Sequence, residues 1–159
     1  MNTHAAPTTK VTIKEKAKYK FTDTKNIYEH LEYLGYTLEK LEDPNDDFSL
    51  AKSLAKPNVY VTINQHWVKL VVRYGSYEHT ALEDIEFFKA LNDINKQSRY
   101  SLWFVTVDHD DSVIVVSYAA YRGYEKISFG DFVTTYEQEC ATYAPTLSKW
   151  FMRAEDNRG

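Results

Sequence analysis

The feature that most constrains this chain is the run from Ser101 to Arg122, which reads SLWFVTV, then DHDD, then SVIVVSYAAYR. Val, Ile, Trp, Phe and Tyr fill both arms, and these side chains suit a pleated surface. The connector Asp108-His109-Asp110-Asp111 is short and polar, as a turn requires. The run therefore predicts a long β-hairpin. Successive side chains of a strand point to opposite faces. One parity of the first arm carries Trp103, Val105 and Val107, and the other carries Leu102, Phe104 and Thr106. In the second arm Val113 and Val115 oppose Ile114, Val116 and Tyr118. Both faces are largely apolar, the pattern of strands covered on both sides. Helices of the same chain can cover one face. The other needs a further helix, a second subunit or a partner protein. Leu102, Phe104, Ile114, Val116 and Tyr118 are the candidate protein-binding or dimer face. The opposite parity stays open, because the turn register is not fixed by the sequence.

A chain of 159 residues fits one domain with a substantial core. The reading is a polar, basic arm over residues 1–21, partly disordered, one α+β domain over 22–153, and a frayed end over 154–159. The first 25 residues hold six lysines against Glu15 and Asp23, a net of +4. The whole chain carries −4, so the remainder is strongly acidic, at −8. No apolar run approaches the roughly 20 residues of a membrane span, and no signal-peptide pattern is visible at the N-terminus. The single cysteine, Cys140, fits a reducing compartment. The expectation is a cytoplasmic protein with no membrane contact.

Local signals order the elements. Thr22 or Asp23 can cap a first helix running to about Leu34, with Ile27, Leu31 and Leu34 as its apolar stripe and Gly35 as its stop. A short strand over Tyr36–Leu41 follows. Asp43 to Asp47 is a loop by composition, and 48–57 reads as an irregular or strand-like lead-in. Val59, Val61 and Ile63 alternate with polar neighbours, as do Val68, Leu70, Val72 and Tyr74. Thr80 with Glu83 resembles a capping box for a second helix whose stripe is Leu82, Ile85, Phe88, Leu91 and Ile94. After the hairpin, Ser128 with Asp131 suggests the cap of a third helix, and Pro145 kinks or restarts it. The expected fold is an antiparallel sheet of about five strands with helices in the order α-βββ-α-ββ-α, packed mainly on one face.

This order, with ALNDINKQSRYS passing straight into LWFVTVDHDDSVIVVSYAAYR and then the helix SFGDFVTTYEQECATYAP, resembles the YbjN-like family of bacterial sensory transduction regulators, which shares the type III secretion chaperone-like fold. The resemblance covers about Thr24 to Trp150. It implies that fold and a protein-binding role, often as a dimer. It supplies no catalytic motif to carry over.

The residues themselves argue against most chemistry. Asp43, Asn45 and Asp47 begin a calcium-loop spacing that then fails at Phe48 and Leu54. Asp108 to Asp111 cannot converge on one ion, and no histidine or cysteine pair stands at zinc spacing. No nucleophile elbow, zinc-protease helix or phosphate loop is present. Cys140 lies in an apolar helix stripe and reads as packing. Tyr60, Trp67, Lys69 and Arg73 could share one sheet face and form a secondary surface, the aromatic-plus-cation pattern that binds single strands. Two cations on a net acidic body argue against nucleic acid. The expectation is therefore a non-enzymatic protein-binding domain, a chaperone-like adaptor or regulator, with no metal or cofactor, forming a homodimer or holding another protein. Two alternatives remain. One is an immunity or anti-defence protein whose acidic body blocks a basic toxin or nuclease. The other is a small ligand-binding protein or enzyme with a pocket at the sheet mouth lined by His66, Trp67 or His109.

Overall fold

Chain order in the computed structural model runs α1 (Thr24–Tyr33), β1 (Thr37–Leu41), β2 (Asp47–Lys52), β3 (Val59–Ile63), β4 (Trp67–Tyr77), a 3-10 turn (His79–Glu83), α2 (Ile85–Gln97), β5 (Leu102–Val107), β6 (Val113–Arg122), α3 (Lys126–Tyr143) and a 3-10 segment (Ala144–Trp150). The structure describes residues 23–44 and 46–152. The basic arm expected over 1–21 and the frayed end expected over 154–159 lie outside them. One antiparallel sheet of six strands has the order β1-β2-β3-β4-β6-β5. The α+β class and the sequence of helices and strands agree with the reading above. The sixth strand is β2, in the segment read as an irregular or strand-like lead-in.

β2 is hard to see because it turns polar residues inward. Asp47 and Ser49 share the covered face with Ala51. Tyr28 of α1 resolves the cost: its hydroxyl donates to Asp47 Oδ1 at 3.1 Å and accepts from Ser49 Oγ at 3.1 Å. Polar groups can be buried where they are hydrogen-bonded. Burial pushes the Tyr28 phenol up to about 12.

Helix starts also differ from expectation. Residues 79–83 form a 3-10 turn, and α2 begins only at Ile85. Asp84 is its cap, accepting from the Glu86 N–H at 2.9 Å and from Trp150 Nε1 at 2.8 Å. These donors hold its carboxyl below the usual range. Of the expected stripe, Leu91 and Ile94 are buried and Leu82 and Phe88 pack partly against the core; Phe87 joins them, while Ile85 is exposed. In α3 the cap is Glu125, not Ser128. Its carboxylate accepts from the N–H groups of Ile127 and Ser128. Gly35 ends the α1 turn at φ +93°, as its freedom from a Cβ allows.

The core lies on one side of the sheet. Val59, Val61, Ile63, Val68, Leu70, Val72, Trp103, Val113, Val115 and Ala119 meet Ile27, Leu31, Phe87, Leu91, Ile94, Phe129, Phe132 and Val133 from the helices. The segment after Pro145 joins the same side: Leu147 and Trp150 are buried there, and Phe151 bridges to Tyr77. It does not cover the other side of the hairpin.

Two polar devices fix the hairpin to this core. Asn95 near the end of α2 donates from Nδ2 to the Trp103 carbonyl at 2.9 Å and accepts from the Trp103 N–H at 2.7 Å. One side-chain amide thus occupies both groups that the edge strand β5 presents there, and blunts the edge. Glu139 of α3 is buried. It accepts from three successive backbone N–H groups of the α2–β5 loop, those of Arg99, Tyr100 and Ser101. A buried carboxylate is tolerated when its oxygens are saturated in this way.

Candidate functional site: the open sheet face

The strand registers place every second residue of the sheet on the side that carries no helix. Leu50, Tyr60, Val71, Tyr118 and Leu102 are successive Cα partners across β2, β3, β4, β6 and β5. They form one apolar row about 19 Å long at the usual strand spacing. Arg73, Val116 and Phe104 make the next row, followed by Ile114 beside Thr106. On the other flank Phe48, Thr62, Lys69 and Ala120 align, and then Trp67 faces Arg122. Phe48 and Tyr60 stack with centroids 5.9 Å apart.

The structure thus brings Leu102, Phe104, Ile114, Val116 and Tyr118 together on the open face. It puts Tyr60, Trp67, Lys69 and Arg73 on the same face, so the two surfaces distinguished in the sequence are one. The opposite parity, Trp103 with Val113 and Val115, lies in the helix-covered core. Exposure varies within the patch. Leu102 is 53% exposed and Phe104 41%. Val116 and Ile114 fall to 7% and 8% although neither belongs to the helix-side core cluster. They sit on the interior strand β6, flanked by β4 and β5. Trp67, 40% exposed, stands at the far corner.

Charge on this face comes from four cations, Lys52, Lys69, Arg73 and Arg122, where the sequence singled out two. Lys52 pairs with Glu39 and Arg73 with Asp108. Among the described residues neither Lys69 nor Arg122 has a carboxylate at ion-pair distance. Lys52 and Arg122 escaped the sequence reading because β2 was unassigned and the β4–β6 register unknown.

Other candidates separate. Trp67 is the Cα partner of Arg122 and Tyr77 that of Val113, so His66 and the turn holding His109 lie at opposite ends of β6. The two histidines therefore do not line one pocket together. Asp43 Oδ1 accepts from the Asp46 N–H at 3.0 Å, closing a polar turn. Among the described residues no three His, Cys, Asp or Glu side chains are placed to hold a metal ion. Cys140 is buried beside Ser117, with Sγ 3.6 Å from its Oγ, and burial pushes the thiol pKa up. That is the setting of a packing residue rather than a nucleophile. No described helix is long and apolar enough to cross a membrane.

No protein-family model matches the chain, and no curated protein matches it significantly. Among solved structures the chain is similar to the crystal structure of YbjN, a proposed transcription regulator from E. coli. The TM-score is 0.62 at 14% identity, over 79% of this chain and 90% of that one. The chain therefore has a YbjN-like fold.

Proposed function

We propose that this chain is a non-enzymatic protein-binding domain, an adaptor or regulator, that docks a segment of another protein on the open sheet face. The observation that carries the reading is the apolar row from Leu50 to Leu102, with Phe104 beside it, on a side where no described helix lies. Contiguous exposed apolar surface rimmed by polar residues marks interaction sites. Burial of such a row stabilises a complex at roughly 25 cal/mol per Å², less the cost of association. The description of YbjN as a proposed regulator agrees with a role without catalysis. Fold alone does not fix function, so the reading stands on the surface.

The test uses the full chain as bait in parallel captures, wild type against Leu102→Asp with Phe104→Asp. The expected result is a protein retained by wild type and lost by the variant, while the variant keeps wild-type circular dichroism. Recovery of the same proteins by both folded baits sinks the reading. Loss of folded structure in the variant would show instead that the row is part of the core.

A further inference from the structure

The charge of the open face specifies the chemistry of its occupant. Outward positions of the six strands carry Lys52, Lys69, Arg73 and Arg122; Lys52 pairs with Glu39 and Arg73 with Asp108, which leaves Lys69 and Arg122 as the cationic surplus. The chain as a whole is at −4, so its acidic surplus lies off this face, on helices and loops. The cations border the apolar row. Lys69 sits one outward step along β4 from Val71, about 7 Å, and between the small residues Thr62 and Ala120. Lys69 is partly buried and keeps some solvent contact. Arg122 lies beyond it, opposite Trp67.

Resting on the docking reading above, we infer that the occupant is an acidic segment of a different protein, with an apolar stripe flanked by carboxylates. The stripe meets the row of Leu50, Val71 and Leu102. The carboxylates meet Lys69 and Arg122, which lack acidic partners among the described residues. A second copy of the chain fits less well, because the same face offers Lys69 and Arg122 no surplus of carboxylates: its Glu39 and Asp108 are already paired with Lys52 and Arg73. Complementary charge raises association rate and discriminates between partners. It also makes binding salt-sensitive at an exposed site.

The probes are fluorescently labelled poly(Glu,Tyr), polyglutamate and oligo(dT), titrated against the full-length chain by anisotropy. Poly(Glu,Tyr) is expected to bind and polyglutamate to bind at least about tenfold more weakly, since it lacks the apolar component. Raising salt should weaken the copolymer by about tenfold or more. Lys69→Glu with Arg122→Glu should do the same, and Lys69→Arg with Arg122→Lys should restore it. The inference is overturned by absence of copolymer binding, or by binding indifferent to the charge reversal. Oligo(dT) binding in place of the copolymer would assign the face to single-stranded nucleic acid. A dimer in light scattering that Phe104→Asp dissociates would assign it to a second copy. The captures separate the two levels of the argument. A partner lost by Leu102→Asp with Phe104→Asp but kept by the charge reversal removes the acidic segment and leaves docking standing. A partner kept by both removes docking itself.

Discussion

The inward and outward sides of the β5–β6 hairpin are built from the same kinds of residue, yet only the inward side is closed over. Trp103, Val113 and Val115 face the helix layer and are almost fully buried. Leu102 and Phe104, one residue away on either side of Trp103, are about half exposed. Residue type alone does not distinguish these positions. What differs is the cover and the devices that hold it. On the inward side Trp103 stacks on Tyr74 at 5.4 Å, its N–H bonds to Ser101, and Asn95 clamps its backbone. On the outward side the polar contacts involve charge, as in the pair of Arg73 and Asp108. One side is organised for a unique packing, and the other keeps apolar surface available between cations.

The comparison breaks most sharply at Trp103. Trp103→Ala should cost about 3–5 kcal/mol, the range for removing a buried aromatic, read as a lower urea midpoint. Leu102→Ala, next in sequence, should stay within about 1 kcal/mol because its side chain gives up little burial. Equal losses at the two positions would mean that the outward face is closed in solution. Glu139 tests the device rather than the packing. Glu139→Ala leaves the N–H groups of Arg99, Tyr100 and Ser101 without their acceptor. Each buried orphan donor costs about 1–3 kcal/mol, so a total of about 2–4 kcal/mol is expected after water reaches some of them. Faster amide exchange at these three positions is the accompanying signature.

These same residues show what could be read from the sequence. The hairpin and its two apolar parities were legible because β-branched and aromatic residues fill both arms, 102–107 and 113–118, around a polar turn. The outward parity was not, because it depends on where the helices land. β2 was obscured because Asp47 and Ser49 turn inward to a tyrosine 19 and 21 residues away in sequence. Glu139 carries no local signal of its role, since its three donors lie about 40 residues earlier. Asn95 belongs to the run ALNDINKQSRYS that carried the family resemblance, and its clamp on Trp103 gives that asparagine a physical reason. The open site was half legible. Leu102, Phe104, Val116, Trp67 and Lys69 could be named, but Lys52, Leu50 and Arg122 join them only through strand order.

A third test stays on the open face and exploits its uneven exposure. Phe104→Asp and Val116→Asp place the same charge on neighbouring Cα partners. Phe104 keeps solvent contact, so its variant should lose at most about 1 kcal/mol of stability. Val116 is 7% exposed, and a carboxylate there must be desolvated or protonated, at about 2–4 kcal/mol. Both should weaken partner capture, but only Val116→Asp should lower the urea midpoint clearly. If both midpoints hold, Val116 is not shielded by its neighbours, and the patch is more open than the structure shows.

The smallest expected effect separates the faces by pH. His30 of α1 sits on the covered side, 3.3 Å from the Tyr124 hydroxyl and edge-on to Phe129, with Gly130 of α3 leaving room for its ring. Burial, and then the nearby Lys126, lower its pKa from 6.5. A folded-state pKa below the unfolded one means that the unfolded chain takes up the proton first. The His30 contribution is therefore complete above about pH 6.5 and diminishes as pH falls from there through the lowered folded value. Urea midpoints should fall modestly on acidification across that window, and His30→Gln should flatten the slope. The open face holds no histidine among its outward strand positions. Binding of an acidic segment there should stay level over the same window until the segment's own carboxylates protonate, near pH 4. A binding curve that tracks the His30 transition would couple the helix layer to the open face, and the two sides could no longer be treated as independent.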